Sequence, residues 1–544
     1  MLEATEYYVA VNHPNATDSN DGLSLDQPFK TLDRAATPLS PGDTLSIKAG
    51  IYREALVLGT DGTVGSPVVV RAYPGDEGEV VIRGSDVVKG WTNDGGGVWS
   101  VFWQPLPLLD YPDGYPDVDE YARRREIVFV EGNPLKQVLS GADLVSGHFW
   151  MDDAAQRMRI HYSGDPNASQ VEISVRTRGV NARGRSYLVF RGLRVEHVST
   201  DIWIGAMALG PNIRVEDCRV EYNNQVGIVP ASDSVIIRTT SNFNGRMGIG
   251  LSGSNSLIDS SETSYNGWRY GRWAAGGIKV VSTGTASGNQ IVRHTAKHNN
   301  GPGIAFDTVG SGNVVEASFF EGNRREIIFE AAIGPNWIIN NVVVITVAHW
   351  FVRGELIGHG IRVFTSRDTY IYNNTIIVDV NGTGIYIGGG ERYTDTLHFY
   401  SANTRVFNNI FAVNPGQRLI HLDGDGLSAT EEMLASHQFD NNLYFGADSV
   451  IWFREAFSLA EWQTTRGKDL NSLSAPPMFT NPTSHEYSLQ TGSLAIDGGQ
   501  DLAKVTEDFT GTPRPQGLRT DIGAFESLAS PVSVRRPPTR RLNP

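Results

Sequence analysis

Two short strings, 23 residues apart, carry the most specific chemistry this sequence offers. Ile304-Ala305-Phe306-Asp307 and Ile327-Ile328-Phe329-Glu330 align residue for residue, Asp307 falling opposite Glu330. In an alternating strand the Ile and Phe side chains face one way and the carboxylates the other. If the strings sit at the same place on successive coils, the acids are separated by one strand spacing, roughly 4.7–4.9 Å before the side chains splay. That is close to the ~5–5.5 Å between the carboxyls of retaining glycosidases and short of the ~6.5–9.5 Å of inverting ones. A retaining mechanism needs one acid ionised as nucleophile and the other protonated as general acid, and a stacked like-charged pair tends toward that split. The plain alternative is two solvated acids on a chain that has 60.

Several residues extend the constellation. Lys279, the outward residue after Gly277-Ile278 one coil earlier, and Arg324 and Arg325 before the Glu330 string are cations suited to hold a carboxylate ionised. The turn Asn266 to Ala275 offers Trp268, Arg272 and Trp273 as stacking and polar contacts for a sugar ring, or as packing for a neighbouring domain. Trp337, His349 and Glu355 follow within about one coil and complete the candidate substrate-binding set. No metal is expected, since no His/Asp/Glu cluster has ligand spacing; turn composition explains Asp18, Asn20 and Asp21 as well as calcium does.

The elements that must position these residues are repeats. Asn224-Gln225-Val226-Gly227-Ile228, Asn244 to Ile249, Gly276-Gly277-Ile278 and Asn300 to Ile304 recur at glycine spacings of 21, 29 and 26 residues, in the range of solenoid coils. Between them lie alternating β-branched strands such as Ser234 to Arg238, and the pattern runs on through Asn340-Asn341, Asn373-Asn374 and Asn408-Asn409. Asn at such turns tolerates left-handed backbone and can stack in hydrogen-bonded ladders. With no helical period of ten residues in this region, the pattern predicts an all-β fold, a right-handed parallel β-helix solenoid with capped ends. Residues 1–88 are read as an N-terminal cap, with a short helix at Thr31–Ala36, plus the first coils. Residues 89–178, rich in Trp (Trp91, Trp99, Trp103, Trp150), break the period and are read as an inserted β-sandwich-like domain. The β-helix with the active site occupies 179–526, and 527–544 is a Ser/Pro/Arg-rich flexible tail.

Composition sets outer bounds. A formal charge of −14 over 544 residues argues against nucleic acid as partner. No run of eighteen apolar residues suggests a membrane span. The single cysteine, Cys218, sits in a strand pattern and is read as a buried inert thiol. The N-terminus lacks the basic-then-apolar pattern of a signal peptide, as in a cytoplasmic protein or a secreted one whose export signal has been removed. Homo-oligomerisation is compatible with everything in the sequence.

The string Gly303 to Asp307, then Phe329-Glu330-Ala331-Ala332-Ile333-Gly334-Pro335, then Ile339-Asn340-Asn341 resembles the β-helix β-xylosidases of glycoside hydrolase family 120. The resemblance extends to Gly276-Gly277-Ile278-Lys279 and to the opening around Pro28-Phe29-Lys30-Thr31-Leu32 and Gly50-Ile51-Tyr52-Arg53-Glu54, a stretch shared by many bacterial β-helix proteins. It implies Asp307 as nucleophile and Glu330 as acid/base. The chain is shorter than is usual in that family, and its aromatic turn at 268–273 has no clear counterpart there.

These observations point to a retaining, exo-acting, β-xylosidase-like glycoside hydrolase on oligo- or polysaccharide that needs no cofactor. Two alternatives stay open. One is a uronate lyase or epimerase using Lys279 and an arginine such as Arg325, although no Asn-Gly-X-Glu-X-X-Arg string is present. The other is a non-catalytic carbohydrate-binding solenoid. Because both acids face outward, replacing either with Ala is expected to stop turnover without unfolding the chain.

Overall fold

The computed structural model describes residues 4–111, 118–270, 274–282, 285–346, 358–380, 382–394, 397–414, 417–423 and 430–528. Each full coil contributes short strands to three parallel sheets, here called the first, second and third. Gly276–Val281, Gln290–Val292 and Thr295–Lys297 make one such coil, and Pro302–Val309 begins the next above Gly276–Val281. The chain is a parallel β-helix.

What fixes the register is a column of one residue type. Ile249, Ile278, Ile304, Ile327, Ile361, Ile385, Ile420 and Ile451 pair rung on rung along the first sheet, none more than 1% exposed. Two positions along, Val280, Phe306, Phe329 and Val363 form a second inward column in which the Phe306 and Phe329 rings stack at 4.5 Å. A slip by one residue would turn both columns to solvent. The glycines of the Gly-Ile motif belong to the same packing: a Cβ on Gly303 would lie 2.7 Å from the carbonyl oxygen of Glu326 in the next coil.

The corners are held by asparagine ladders. Side-chain amides of Asn223, Asn244, Asn266, Asn299 and Asn323 each donate to the next, and Asn323 donates to the carboxylate of Glu326. A second ladder runs Asn341, Asn374, Asn409, Asn442 and ends on Asp469. Asparagine both accepts and donates, so it propagates a ladder, whereas a carboxylate only accepts and ends it. Burial pushes both terminal carboxyls up, Glu326 well above the ordinary range and Asp469 to about 6.

Asn340, Asn373, Asn408 and Asn441, each preceding a ladder residue, take left-handed backbone at φ +52 to +58°. Their amides donate to carbonyls of Glu507, Asp521, Gln500 and Gly498. The last parallel pairing is at Leu473–Ser474, and the segment beyond folds back along the outside of the coils, with Tyr487 and Ala524 packed against Val342 and Val344 of the third sheet. The N-terminal end is closed by the helix Leu32–Ala36, capped by Thr31, whose Leu32, Ala35 and Ala36 join the core. Cys218 is 1% exposed, and burial pushes its thiol up to about 12, which leaves it unreactive.

Between Arg83 and Ser174 the chain leaves the coils and folds as two small, mainly antiparallel sheets around Trp91, Val128, Phe149, Met158 and Ile173. The joint with the coils is a buried ionic network. Glu172 of the insert accepts from Arg53 at 2.8 Å, Arg83 at 3.0 Å and the hydroxyl of Ser85 at 2.6 Å, while the His197 ring stacks on Phe129. Burial alone would raise Glu172, but these partners and His197 hold its carboxyl far below the ordinary range. The early acids Asp18 and Asp21 accept backbone N–H groups of Lys30, Thr31 and Leu23 in their turn.

Asn299 accepts from the backbone and amide N–H of Asn266 and donates to Thr263 and Asn323, all within the buried corner. Asn299→Ala would strand these groups at about 1–3 kcal/mol each. We expect a loss of at least ~2 kcal/mol in chemical denaturation; a change within ~0.5 kcal/mol, the usual scatter of surface substitutions, would contradict the ladder's role.

Candidate functional site

The strands Pro302–Val309 and Arg325–Ile339 pair in parallel, with Ile304 opposite Ile327, Phe306 opposite Phe329 and Asp307 opposite Glu330. The two carboxylates therefore stand side by side on the outer face of the first sheet. One coil below, Lys279 pairs with Ala305 and lies on the same face, and its ammonium reaches Oδ2 of Asp307 at 2.9 Å. Thr308 donates its hydroxyl to Oδ1 of the same carboxylate at 3.0 Å.

From the opposite side comes Arg392, whose Nη1 lies 3.5 Å from Oδ1 of Asp307 and 3.6 Å from Oε1 of Glu330. Arg392 belongs to a hairpin, Arg392–Tyr393 against His398–Phe399, that leaves the coil after the strand Gly382–Gly388. The exit depends on Gly389 at φ +95°, where a Cβ would come within 2.5 Å of the Thr365 hydroxyl. The hairpin is stiffened by the Tyr393 and His398 rings stacked at 4.3 Å.

The two acids differ in setting. Asp307 is 9% exposed and its side chain 13%, against 32% for the side chain of Glu330. Burial pushes the Asp307 carboxyl up, but the Lys279 charge and hydrogen bond, then Thr308 and Arg392, outweigh it and hold the group below the ordinary carboxylate range. Lys279 is itself lowered by burial, with the nearby Arg246 adding to the effect and the two acids opposing it. Arg246 is fully buried, its guanidinium 3.6 Å from the centre of the Trp203 ring and its Nε donating to the Ala274 carbonyl. Tyr111 of the insert donates to Gln225 beside it at 3.2 Å and lies within cation–π range of Arg246. Trp203 adopts φ +63°, a costly conformation for a large side chain, and remains 37% exposed.

Of the candidate residues, the structure brings together Asp307, Glu330 and Lys279. Trp337 is elsewhere: the backbone turns a corner at Ala331, φ +50°, and the register shifts between Ile333 and Asn336. Residue 337 thus lies on the second sheet, packed against Tyr370 and Leu502 with the Lys504 ammonium 5.1 Å from its ring. Trp268 lines a cleft against the insert, its indole N–H donating to the Phe243 carbonyl. Arg272, Trp273, His349 and Glu355 lie outside the described residues. Arg392, Arg246 and Trp203 were not singled out from sequence. Only the run Gly388-Gly389-Gly390-Glu391-Arg392 carried a signal, a glycine exit two coils from Glu330. Among the described residues no group of three His, Cys, Asp or Glu has the geometry of a metal site.

Although Asp307 faces outward, it also has a buried partner. It is the counter-charge of a Lys279 side chain only 3% exposed.

No protein-family model matches the chain. The solved complex of XylC with xylose superposes with a TM-score of 0.72, covering 97% of this chain and 99% of that one at 17% identity. At that identity the likeness is one of fold. The A-module of the Azotobacter vinelandii mannuronan C-5 epimerase AlgE4 is a more distant match, with a TM-score of 0.44 and 13% identity over 83% of this chain and 97% of the other. Among curated proteins, the uncharacterised YwoF of Bacillus subtilis strain 168 is 37% identical over 76 residues, 14% of this chain. The chain matches only 16% of the length of that relative.

Breaking one side of a buried pair costs about 3–5 kcal/mol, and removing both restores part of that. Asp307→Asn is expected to lose that much stability, and Asp307→Asn/Lys279→Met to regain a substantial share in a double-mutant cycle. The pair also has a pH signature. With the folded Asp307 pKa below its unfolded value, its stabilisation is present above about pH 4, the ordinary aspartate value, and fades as the pH falls through the folded pKa. In Lys279→Met, NMR titration should find the Asp307 carboxyl shifted upward; an unchanged titration would remove Lys279 as the cause.

Proposed function

We propose that this chain is a retaining glycoside hydrolase, exo-acting and β-xylosidase-like, with Asp307 as nucleophile and Glu330 as acid/base. One observation carries the reading: the two carboxylates face outward on adjacent rungs and share the guanidinium of Arg392. Two oxygens at 3.5 and 3.6 Å from one nitrogen are no more than about 7 Å apart, a bound that admits the ~5–5.5 Å of a retaining pair and leaves only the lowest part of the ~6.5–9.5 Å inverting range.

The roles follow from the settings. Asp307, buried and ion-paired with Lys279, is held ionised, as attack on an anomeric carbon requires. Glu330, the more open of the two, has the access to water that protonating a leaving oxygen and then activating the hydrolytic water both demand. In the first step the Asp307 oxygen bonds to the anomeric carbon as the glycosidic C–O bond breaks and Glu330 gives its proton to the departing oxygen. In the second, water gives its proton back to Glu330 while its oxygen replaces Asp307 at the same carbon. Tyr111, Arg246 and Trp203 crowd the side of the site toward the insert, which supports action on a chain end.

The strings shared with the family 120 β-xylosidases and the fold likeness to XylC, solved with xylose, support a xyloside as substrate. A uronate lyase would need Lys279 as a free base, and its engagement with Asp307 at 2.9 Å disfavours that.

Turnover of aryl glycosides tests the assignment. A nitrophenyl β-xyloside should be cleaved, and Asp307→Ala should fall on the order of 10⁴-fold. Azide should then rescue the variant and give a glycosyl azide of inverted anomeric configuration. Glu330→Ala should lose far less on a dinitrophenyl glycoside, whose leaving group needs no proton, than on xylobiose. Undiminished activity in Asp307→Ala would end the proposal, as would an unsaturated product from a polyuronate with every glycoside silent.

A further inference from the structure

The seam between the insert and the coils contains a cleft of about 190 Å³ that has no part in the chemistry above. Its coil wall is the corner of the solenoid, where Tyr222 and Phe243 line the cleft and Tyr265 continues their column, all three at left-handed φ and one ring per rung. Tyr222 and Phe243 stack at 4.9 Å and 7°, and Phe243 and Tyr265 at 5.0 Å and 4°. Trp268 continues this wall, and Phe149, Leu135 and Tyr121 of the insert face it.

Besides Lys136 and the tyrosines Tyr121 and Tyr222, two polar side chains line the cleft, Trp268 and Gln137. The indole N–H of Trp268 is already committed to the Phe243 carbonyl and the Arg269 guanidinium lies over its ring at 4.9 Å, so the ring offers its other face. Gln137, 5% exposed, gives its Oε1 to Arg269 at 2.9 Å, while its Nε2 has no hydrogen-bond partner among the described residues. A buried amide donor without an acceptor costs about 1–3 kcal/mol, which an acceptor on a ligand would recover.

We propose that this cleft is a binding site for a single aromatic ring bearing one hydrogen-bond acceptor, the class of phenolic and hydroxycinnamoyl groups. The size suits one ring, since an apolar protein cavity of about 150 Å³ holds benzene, and drug-sized ligands need roughly 300 Å³ or more. Rings stacked on one another present a row of edges to the cleft, which favours a planar aromatic guest that meets them edge to face. A pyranose fits the walls less well, because it carries a hydroxyl on nearly every carbon and most of the lining is apolar or aromatic. The site is independent of the proposed glycosidase activity.

Methyl ferulate is the probe, with binding followed by calorimetry and by tryptophan fluorescence of the full chain. Saturable one-to-one binding is expected, undisturbed by excess xylose or xylobiose. Leu135→Trp, which fills the cleft from the insert side, should weaken it at least tenfold. Tyr222→Leu, which keeps apolar bulk and removes one ring, should also weaken it and serves if Leu135→Trp does not fold. Absence of saturable binding, displacement by xylobiose, or full binding in the folded variants would overturn the proposal.

Discussion

A coil of this chain cannot bury its apolar face or satisfy its corner amides alone; both needs are met only by the coil next to it, in one register. The isoleucine column and the asparagine ladders impose that register at different places on each rung, and everything else inherits it. Two acids separated by 23 residues become neighbours because the residues before them are locked in the core. The geometry of the candidate site is thus a by-product of packing, placed on strands rather than on loops.

Such a placement creates an electrostatic problem, since like charges on adjacent rungs repel. The structure answers it asymmetrically. Lys279 reaches Asp307 from one rung below, buried with it, while Arg392 lies across both carboxylates from an exposed hairpin. The buried cation biases one member of the pair toward its ionised form and leaves the other open to solvent. Near-equivalent residues on equivalent rungs thereby acquire different surroundings, the distinction coming from their neighbours and not from Asp versus Glu.

How much of this was legible depended on whether a feature was local to a rung. The repeat, the Asp307–Glu330 register and the outward face of Lys279 all follow from alternation and offset, and the structure has them as read. Trp337 was misplaced because offset counting assumes a continuous strand, and the chain turns onto another sheet at Ala331. Alternation gave the outward direction of Asp307 but said nothing of the buried Lys279 ammonium that it pairs with. Arg392, Arg246 and Trp203 escaped for a related reason: they reach the site from turns and a hairpin, whose paths no periodicity encodes. The paired asparagines were legible as turns and ladders, but not that the two members divide the work.

That division has a mechanical consequence. The outer asparagines at 340, 373, 408 and 441 moor the returning C-terminal segment to four successive rungs, crossing the direction in which the coils would otherwise peel apart. A bare solenoid frays from its end one repeat at a time, with each interface failing independently. Here the rungs from Glu330 onward are also joined lengthwise, so a coil that separates from its neighbour must break its contact with the returning segment as well. The acid/base candidate sits on the first rung moored by an asparagine, and the coil of Asp307 is joined to the same segment through His485, which lies 3.3 Å from Glu321 and edge-on to Phe319.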